Sequence, residues 1–375
     1  MVSKYELAIS TGYVPDWGIV EAFRELFQNA LDNEITNPEN KMEWDYNKDT
    51  ETLKVSNKTS VLQAESLLLG SSTKADDPET IGKHGEGYKI AFMVLLRNNK
   101  KIKVYNYGNR ETWEVKLVKS KRYNGQLLTT VYVEKEAFWS KVPNNNLTIE
   151  VTGITEGEYK DIVGKNLHLR SNTVSKFKMQ GRGDIILNSE EACNIYVKGL
   201  FVTKINGLKF GYDFEPKVLG LDRDRKLVDS FNVSWESSIL WQNAADKQDD
   251  LKKEAVKLIK DQALDVAYVH TISYNNYALY NAVAGDFFDE YGDNAVPVTS
   301  NSEYDMVANS GDYKPVIVNE KTAEIIKKSS KAEVINPEIY KSVKDQLREM
   351  LFSIGDKLSN EEFEKFEGLI NKVKN

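Results

Sequence analysis

The chain has 375 residues and a mass of 42.7 kDa, with 41% hydrophobic, 10% aromatic and 29% charged residues, so two or three folded domains are expected and a largely disordered protein is excluded. Its 50 Lys and Arg residues against 57 Asp and Glu residues give a net charge of −7, which argues against a surface that attracts polyanions everywhere. One cysteine and three histidines exclude an internal disulfide and show no zinc-ligand spacing.

The sequence predicts a cytoplasmic protein with no membrane contact. No apolar run approaches the ~18 residues that cross a bilayer, and the first ten residues, MVSKYELAIS, lack the apolar core of a signal peptide. A single cysteine, Cys193, also suits a reducing compartment.

The first predicted element is a helix that starts at Asp16 as the N-cap residue. Within DWGIVEAFRELFQNALDNEI an apolar stripe recurs at helical spacing. Short strand-like runs follow at LKV, KIKVYNY, TWEVKLV, LLTTVYVEK and LTIEVTGI, with turn-forming residues between them. Consecutive short strands predict an antiparallel sheet with helices on one face, which is an α+β fold.

The pattern changes near Gly153 and again near residue 266. The middle segment contains strand-like runs at DIILN, NIYVKGLFVTKI and LKFGYDF and closes with two helices. The last segment alternates two short strands with helices and ends in a helix whose Ser359 and Glu362 stand at capping-box spacing. We therefore predict three domains, 1–155, 156–265 and 266–375, the last a small α/β-helical domain.

Three polar residues of the first helix, Glu25, Asn29 and Asp32, stand at i, i+4 and i+7 and share one narrow face. That face lies roughly opposite the apolar stripe, so the helix alone favours a solvated polar surface. A glycine-rich stretch later in the chain favours a ligand site instead. It contains GSSTK and IGKHGEGYK and runs into the apolar helix KIAFMVLL, where backbone N–H groups can approach phosphate oxygens.

The glycine pattern differs from two common nucleotide motifs. It lacks the GxxxxGK[ST] of a P-loop, and its GxxGxG follows a polar stretch, whereas the Rossmann GxGxxG follows a strand. Alone, GxxGxG is weak evidence for any site.

Taken together, ELFQNALD, GSSTK, IGKHGEGYK and the antiparallel strands resemble the ATP-binding domain shared by gyrase, the ninety-kilodalton heat-shock chaperones, sensor histidine kinases and MutL, the GHKL superfamily. The resemblance covers about residues 16 to 153 and implies a Bergerat-type α/β sandwich that binds ATP and Mg²⁺. It implies that Glu25 is the general base acting on water and that Asn29 is a Mg²⁺ ligand.

The same resemblance assigns further residues to the nucleotide site. Asp32 would line the site, Lys74 would lie in a mobile lid near phosphate, and Thr148 would help to hold the adenine-binding carboxylate and a water. The phosphate loop would comprise Gly82, Gly85 and Gly87.

One position departs from the family pattern. Where the family has an adenine-recognising aspartate in a D-x-G-x-G setting, this chain has Asn57 and no neighbouring glycines. An amide can accept a hydrogen bond from an exocyclic amine or donate one to a carbonyl. Adenine specificity is therefore less firmly predicted than phosphate binding.

The second segment looks like the middle domain of the heat-shock chaperones, a transducer-like domain. Aligning NIYVKGLFV and KVLGLDRDRKLV places Arg225 where an arginine reaches the neighbouring ATP site, and a cation there would neutralise charge on the transferred phosphoryl group. Alternatively, Arg225 pairs with Asp222, Asp224 or Asp229 on the surface. Asp222 and Asp224 also match a D-x-D metal pair, a weaker interpretation.

The resemblance predicts a Mg²⁺-dependent ATPase that works as a conformational switch, and three biological roles stay open. A chaperone-like or assembly ATPase would close as a homodimer on ATP. A DNA-linked switch of the MutL or gyrase kind would use the nine basic residues between Arg97 and Arg122, although solvated strand faces explain that segment better. A nucleotide-sensing interaction protein, resembling phage rIIA-type proteins, would bind a protein partner with negligible turnover.

Overall fold

A computed structural model describes residues 2–67, 87–135, 145–170, 174–219, 230–272, 277–309, 313–331 and 342–373. The chain divides into two compact units, Met1–Val233 and Ser234–Asn375. The predicted α+β class is confirmed, because a large antiparallel sheet carries helices on one face. The predicted domain boundaries after residues 155 and 265 differ from this division and stay predictions.

Unit 1 opens with a seven-stranded sheet in which every neighbouring pair is antiparallel. Its strands are β1 (Val2–Ser10), β2 (Met42–Asn47), β3 (Thr52–Asn57), β4 (Lys101–Asn106), β5 (Glu111–Lys119), β6 (Leu127–Lys135) and β7 (Leu147–Thr152). Their order across the sheet is β1-β6-β5-β4-β7-β3-β2. Buried and less buried side chains alternate along β7, so one face of the sheet forms the core.

Three helices belong to this layer: α1 (Ile19–Thr36), α2 (Gly87–Arg97) and α3 (Glu156–Gly164). The predicted N-cap at Asp16 is wrong. The cap is Gly18, whose N–H donates to Glu21 Oε2 at 2.8 Å. Together with the inward face of the sheet, α1 and α2 bury a single hydrophobic core. The arrangement is consistent with a Bergerat-type sandwich.

A second sheet in unit 1 has five strands. They are β8 (Lys176–Met179), β9 (Gly183–Ile186), β10 (Asn194–Val197), β11 (Leu200–Lys204) and β12 (Gly211–Phe214). Their order is β11-β10-β12-β9-β8, and only the pair β10 and β12 is parallel. The predicted strands of the middle segment are thus confirmed.

The remaining elements form the last part of the chain. The helices are α4 (Ser230–Lys247), α5 (Asp249–Lys260), α6 (Ala278–Tyr291), α7 (Asn301–Ala308), α8 (Glu320–Lys327), α9 (Val343–Ile354) and α10 (Asn360–Ile370). A parallel pair, β13 (Ala295–Val298) and β14 (Lys314–Ile317), alternates with α7 and α8 as predicted. The capping box of α10 is also confirmed, since Ser359 N–H donates to Glu362 Oε2 at 2.8 Å. Among the helices described, none offers an apolar stretch that would cross a bilayer.

The basic segment from Arg97 to Arg122 contributes to internal packing rather than only to the surface. The Arg97 guanidinium, at the end of α2, donates to the main-chain carbonyls of Thr11 (2.9 Å), Tyr13 (3.1 Å), Val14 (3.1 Å) and Trp17 (2.7 Å). One side chain therefore holds the whole connection between β1 and α1.

Lys100 has a similar internal role. Its ammonium donates to both carboxylate oxygens of Glu158 at 2.8 Å and to the Gly153 carbonyl, and its side chain is only 9% exposed. Because their charges are used in these internal contacts, Arg97 and Lys100 have a structural role, and a nucleic-acid contact by these two residues is disfavoured.

We expect Arg97→Met to lower the free energy of unfolding by about 3 kcal/mol, because it leaves several carbonyls without their charged donor. Urea denaturation measures this loss. Lys121→Met is the matched control, since Lys121 belongs to the same segment and is exposed. Equal unfolding midpoints for the two variants would contradict the role given to Arg97.

Candidate functional site

The polar face of α1 is buried, which differs from the solvated face that the helix pattern alone favours. Glu25 is 2% exposed and Asp32 is fully buried, and Asn29 is half-buried. The cause is α2, whose first residue packs against this face of α1. A buried carboxylate needs compensating partners, so this face is a stronger site candidate than its sequence suggests.

Gly87 makes the closest approach to this polar face. A Cβ atom on Gly87 would lie 2.8 Å from Glu25 Oε2 and 2.9 Å from Asn29 Nδ2. Any side chain at position 87 would therefore require Glu25 or Asn29 to shift. The structure therefore brings together Glu25, Asn29 and the last glycine of the GxxGxG pattern.

The orientation of the Asn29 amide is set by its own helix. Asn29 Nδ2 donates to the Glu25 main-chain carbonyl at 2.8 Å. No residue in the described ranges donates to Asn29 Oδ1. This oxygen is thus available as an acceptor or as a ligand for a hard cation.

Asp32 lies close to Tyr88, the second residue of α2. Burial raises the pKa of Tyr88, and the negative charge of Asp32 raises it further. The phenol is therefore neutral at physiological pH. The fully buried Asp32 lines the interior between α1 and α2.

Lys89, to which the sequence motifs assign no role, is almost completely buried, with 1% of its surface exposed. It lies in the first turn of α2, directly after the glycine pattern. A lysine is rarely buried to this extent without a specific partner. The available signal was a single cation at the start of the otherwise apolar run KIAFMVLL.

Asn57, at the end of β3, is held by two main-chain carbonyls. Its Nδ2 donates to Ala30 O at 2.9 Å and to Asn40 O at 2.7 Å, so both amide hydrogens are used. Because both neighbours are acceptors, Nδ2 and Oδ1 are assigned unambiguously. The sequence left open whether Asn57 accepts or donates, and the structure leaves only Oδ1 as an acceptor.

Thr148 does not join these residues. It pairs with Ser56 across β7 and β3, and the two hydroxyl oxygens are 2.9 Å apart. The next pair, Leu147 and Asn57, points to the helix-covered face, so Thr148 faces the opposite side of the sheet. That position does not fit the predicted role of Thr148 beside the adenine.

Four predicted site residues, Lys74, Gly82, Gly85 and Arg225, lie outside the described residues, and their roles stay predictions. In the described part of the chain, no group of three His, Cys, Asp or Glu side chains could hold a metal ion. A single protein oxygen from Asn29 still suits Mg²⁺, which usually keeps several waters and binds substrate phosphates.

No protein-family model matches the chain. A curated protein from Mycoplasma pneumoniae, described only as uncharacterised, is 27% identical over 221 residues, which cover 57% of this chain and 86% of that protein.

Solved structures similar to the chain include ATPase regions of topoisomerase II. The Saccharomyces cerevisiae ATPase region bound to ICRF-187 has a TM-score of 0.33 and 11% identity, over 49% of this chain and 63% of that one. A second structure of the yeast region has a TM-score of 0.33 and 10% identity, and the match covers 56% of this chain and 76% of that one. The ATPase and transducer domains of DNA topoisomerase II from Balamuthia mandrillaris have a TM-score of 0.31 and 15% identity, and the match covers 49% of this chain and 60% of that one.

The match thus spans less than two thirds of the first and third of these topoisomerase chains. At TM-scores this low, the similarity carries no weight for activity. Any function has to be supported by the residues of this chain.

Proposed function

We propose that unit 1 binds Mg²⁺-ATP and hydrolyses it, and that the nucleotide acts as a conformational switch. The observation that supports this most directly is the contact of Gly87 with both Glu25 and Asn29, at the start of α2. It combines a carboxylate, a cation ligand and a helix N-terminus within one small region. These are the groups that water attack on a γ-phosphate requires.

Each group has a distinct chemical task in this proposal. Glu25 accepts a proton from the attacking water. Asn29 Oδ1 orients the Mg²⁺, which supplies charge neutralisation on the phosphates when it is bound. The first N–H groups of α2 face phosphate oxygens, and Lys74 and Arg225 stay proposed as further cations on the phosphate side.

Asn57 supports adenine as the base. With Nδ2 fixed by Ala30 and Asn40, Oδ1 accepts from an amine such as the 6-amino group of adenine. It would oppose the 6-carbonyl of guanine, and two facing acceptors leave a polar group without a partner. We therefore extend the proposal to a preference for ATP over GTP.

Calorimetric titration of the wild-type protein tests this proposal. We expect Mg²⁺-ATP to bind about tenfold or more tightly than Mg²⁺-GTP, as a buried unmatched acceptor costs about 1–3 kcal/mol. Chelating the Mg²⁺ should weaken ATP binding. Equal affinities for ATP and GTP would mean that the base is read elsewhere, and no binding of either nucleotide would refute the function.

Phosphate release by the same protein separates hydrolysis from sensing. Tight binding with negligible release would favour the nucleotide-sensing interaction protein. ATP-driven homodimer closure, a protein partner and a cytoplasmic location belong to our proposal as well. The DNA-linked role gains no support from Arg97 and Lys100, whose charges are used in internal contacts.

A further inference from the structure

A second crevice in unit 1 lies beside α1, between that helix, the residues that follow α3 and strand β11. Its lining includes Glu21, Arg24, Lys165, Asn166 and Phe201. Val20, Arg24 and Phe27 line it from successive turns of α1, whereas Glu25 and Asn29 occupy the adjacent face. The crevice is thus lined by other residues than the Gly87 contact, although Arg24 Nη2 lies 3.5 Å from Glu25 Oε1.

Lys165 supplies a cation to this crevice without an ion-pair partner in the described part of the chain. Its Nζ lies 3.4 Å from the centre of the Phe201 ring, a favourable cation–π position. Burial lowers the pKa of Lys165, and the positive charges of Lys204 and Arg170 lower it further, while the negative charges of Glu191 and Glu21 raise it. An anion bound in the crevice would stabilise the charged form of Lys165.

Asn166 offers a hydrogen-bond donor that nothing uses. The residue is 3% exposed, and its Oδ1 accepts from His168 N–H at 3.0 Å. Its Nδ2 is buried and has no hydrogen-bond partner, which is unusual for a buried amide. An acceptor atom of a bound ligand would satisfy the Asn166 Nδ2 donor.

The one carboxylate in the lining is already engaged. Glu21 Oε2 accepts the Gly18 N–H at 2.8 Å and caps α1. Arg24 adds a second positive charge. Its guanidinium lies 5.0 Å from the Trp17 ring centre, and its Nη2 lies 3.5 Å from Glu25 Oε1, so this cation is already paired. The groups that the crevice offers to an anion are therefore the Lys165 ammonium and the unused Asn166 amide donor.

We propose that this crevice binds a small oxyanion, a carboxylate or phosphate group, between Lys165 and Asn166, in a lining that also includes Arg24. Its volume of about 50 Å³ holds a group of a few heavy atoms and not a nucleotide, whose pockets are several times larger. A small shift of the Asn166 amide would bring Nδ2 to the anion. The proposal does not rest on the proposed nucleotide function.

Titration of inorganic phosphate into the full chain, at constant ionic strength and followed by the side-chain amide resonance of Asn166, tests the proposal. We expect a saturable shift in the wild type. Lys165→Met should weaken phosphate binding about tenfold or more, since a charged hydrogen bond is lost. Asn166→Asp keeps the acceptor for His168 N–H but repels the anion, so it should abolish binding; in this variant the main-chain amide resonance of Lys165 is followed instead, and in the wild type it should shift with the Asn166 side chain.

Two further variants locate the binding. Lys160→Met removes an exposed cation of α3 that pairs with Glu156 and should leave the response unchanged. Asn29→Ala perturbs the proposed nucleotide site without removing a lining residue of the crevice and should also leave it unchanged. A response lost in Asn29→Ala but kept in Lys165→Met would place the phosphate beside Asn29 and overturn the crevice site, without affecting the proposed function.

Acetate and N-acetylaspartate amide distinguish the source of the anion. Tighter binding of the capped aspartate than of acetate would assign the crevice to an acidic side chain of a protein. Phosphate binding alone would assign it to a phosphate group. No saturable response to any of the three probes would overturn the proposal.

Discussion

Glu25→Gln is expected to slow phosphate release from Mg²⁺-ATP by about 10²–10⁴-fold, the usual contribution of a positioned general base, while nucleotide affinity changes only a few-fold. Glutamine keeps the shape of the side chain that packs against Gly87 but cannot take the proton from water. The fold should persist, because the amide fills the same buried space. Glu25→Ala should show the same loss of turnover with somewhat greater loss of stability.

Single-turnover phosphate release measures the chemical step, and calorimetry measures nucleotide affinity in the same preparations. Glu34→Gln provides the control, because Glu34 lies on the same helix and its Oε2 accepts the Met42 N–H at 2.9 Å, away from Gly87. Equal turnover in Glu25→Gln and the wild type would remove Glu25 from the mechanism. Loss of binding without any turnover defect in bound complexes would make Glu25 a structural residue.

Local sequence patterns predicted much of the secondary structure. Strand-like runs and turn-forming residues located β3 to β7 of the large sheet, and the apolar spacing located α1, whereas β1 (Val2–Ser10) and β2 (Met42–Asn47) were not predicted. These features depend on residues close in sequence. The start of α1 was misplaced because Asp16 is a good N-cap type, whereas Gly18 with Glu21 provides the cap in the structure.

The burial of Glu25 and Asp32 could not be predicted from α1 alone. Periodicity identifies which residues share a face, but not what covers that face. The cover is α2, whose first residue is separated from Glu25 by a long stretch of chain. The resemblance to GHKL proteins predicts that the glycine-rich segment lies beside Glu25 and Asn29, and in the structure Gly87 lies next to both side chains.

Side-chain direction in the sheet was the other missing information. Thr148 and Leu147 are neighbours in sequence, and a difference of one position moves a side chain to the opposite face. Only the register with β3 shows that Leu147, opposite Asn57, faces the helices. Similarly, the carbonyls that fix the Asn57 amide come from α1 and from the connection that follows it.

Gly87→Ala should reduce turnover of Mg²⁺-ATP about 100-fold and weaken its binding as well, since misplacing catalytic groups by about 1 Å costs about this much in rate. The new methyl group would lie 2.8 Å from Glu25 Oε2 and 2.9 Å from Asn29 Nδ2, closer than van der Waals contact allows. Neither side chain can retreat freely. Glu25 is buried, and Asn29 is tethered to the Glu25 carbonyl.

Global stability should fall much less than function does, because the clash involves two side-chain ends and not backbone atoms. Gly157→Ala in α3 is the matched control: its Cβ would approach only Thr155 Oγ1, at 4.0 Å, and alanine within a helix slightly stabilises the fold. Calorimetry and thermal unfolding of both variants separate the two effects. Wild-type ATP affinity in Gly87→Ala would show that the Gly87 contact with Glu25 and Asn29 is packing only, and the proposed site would have to lie elsewhere.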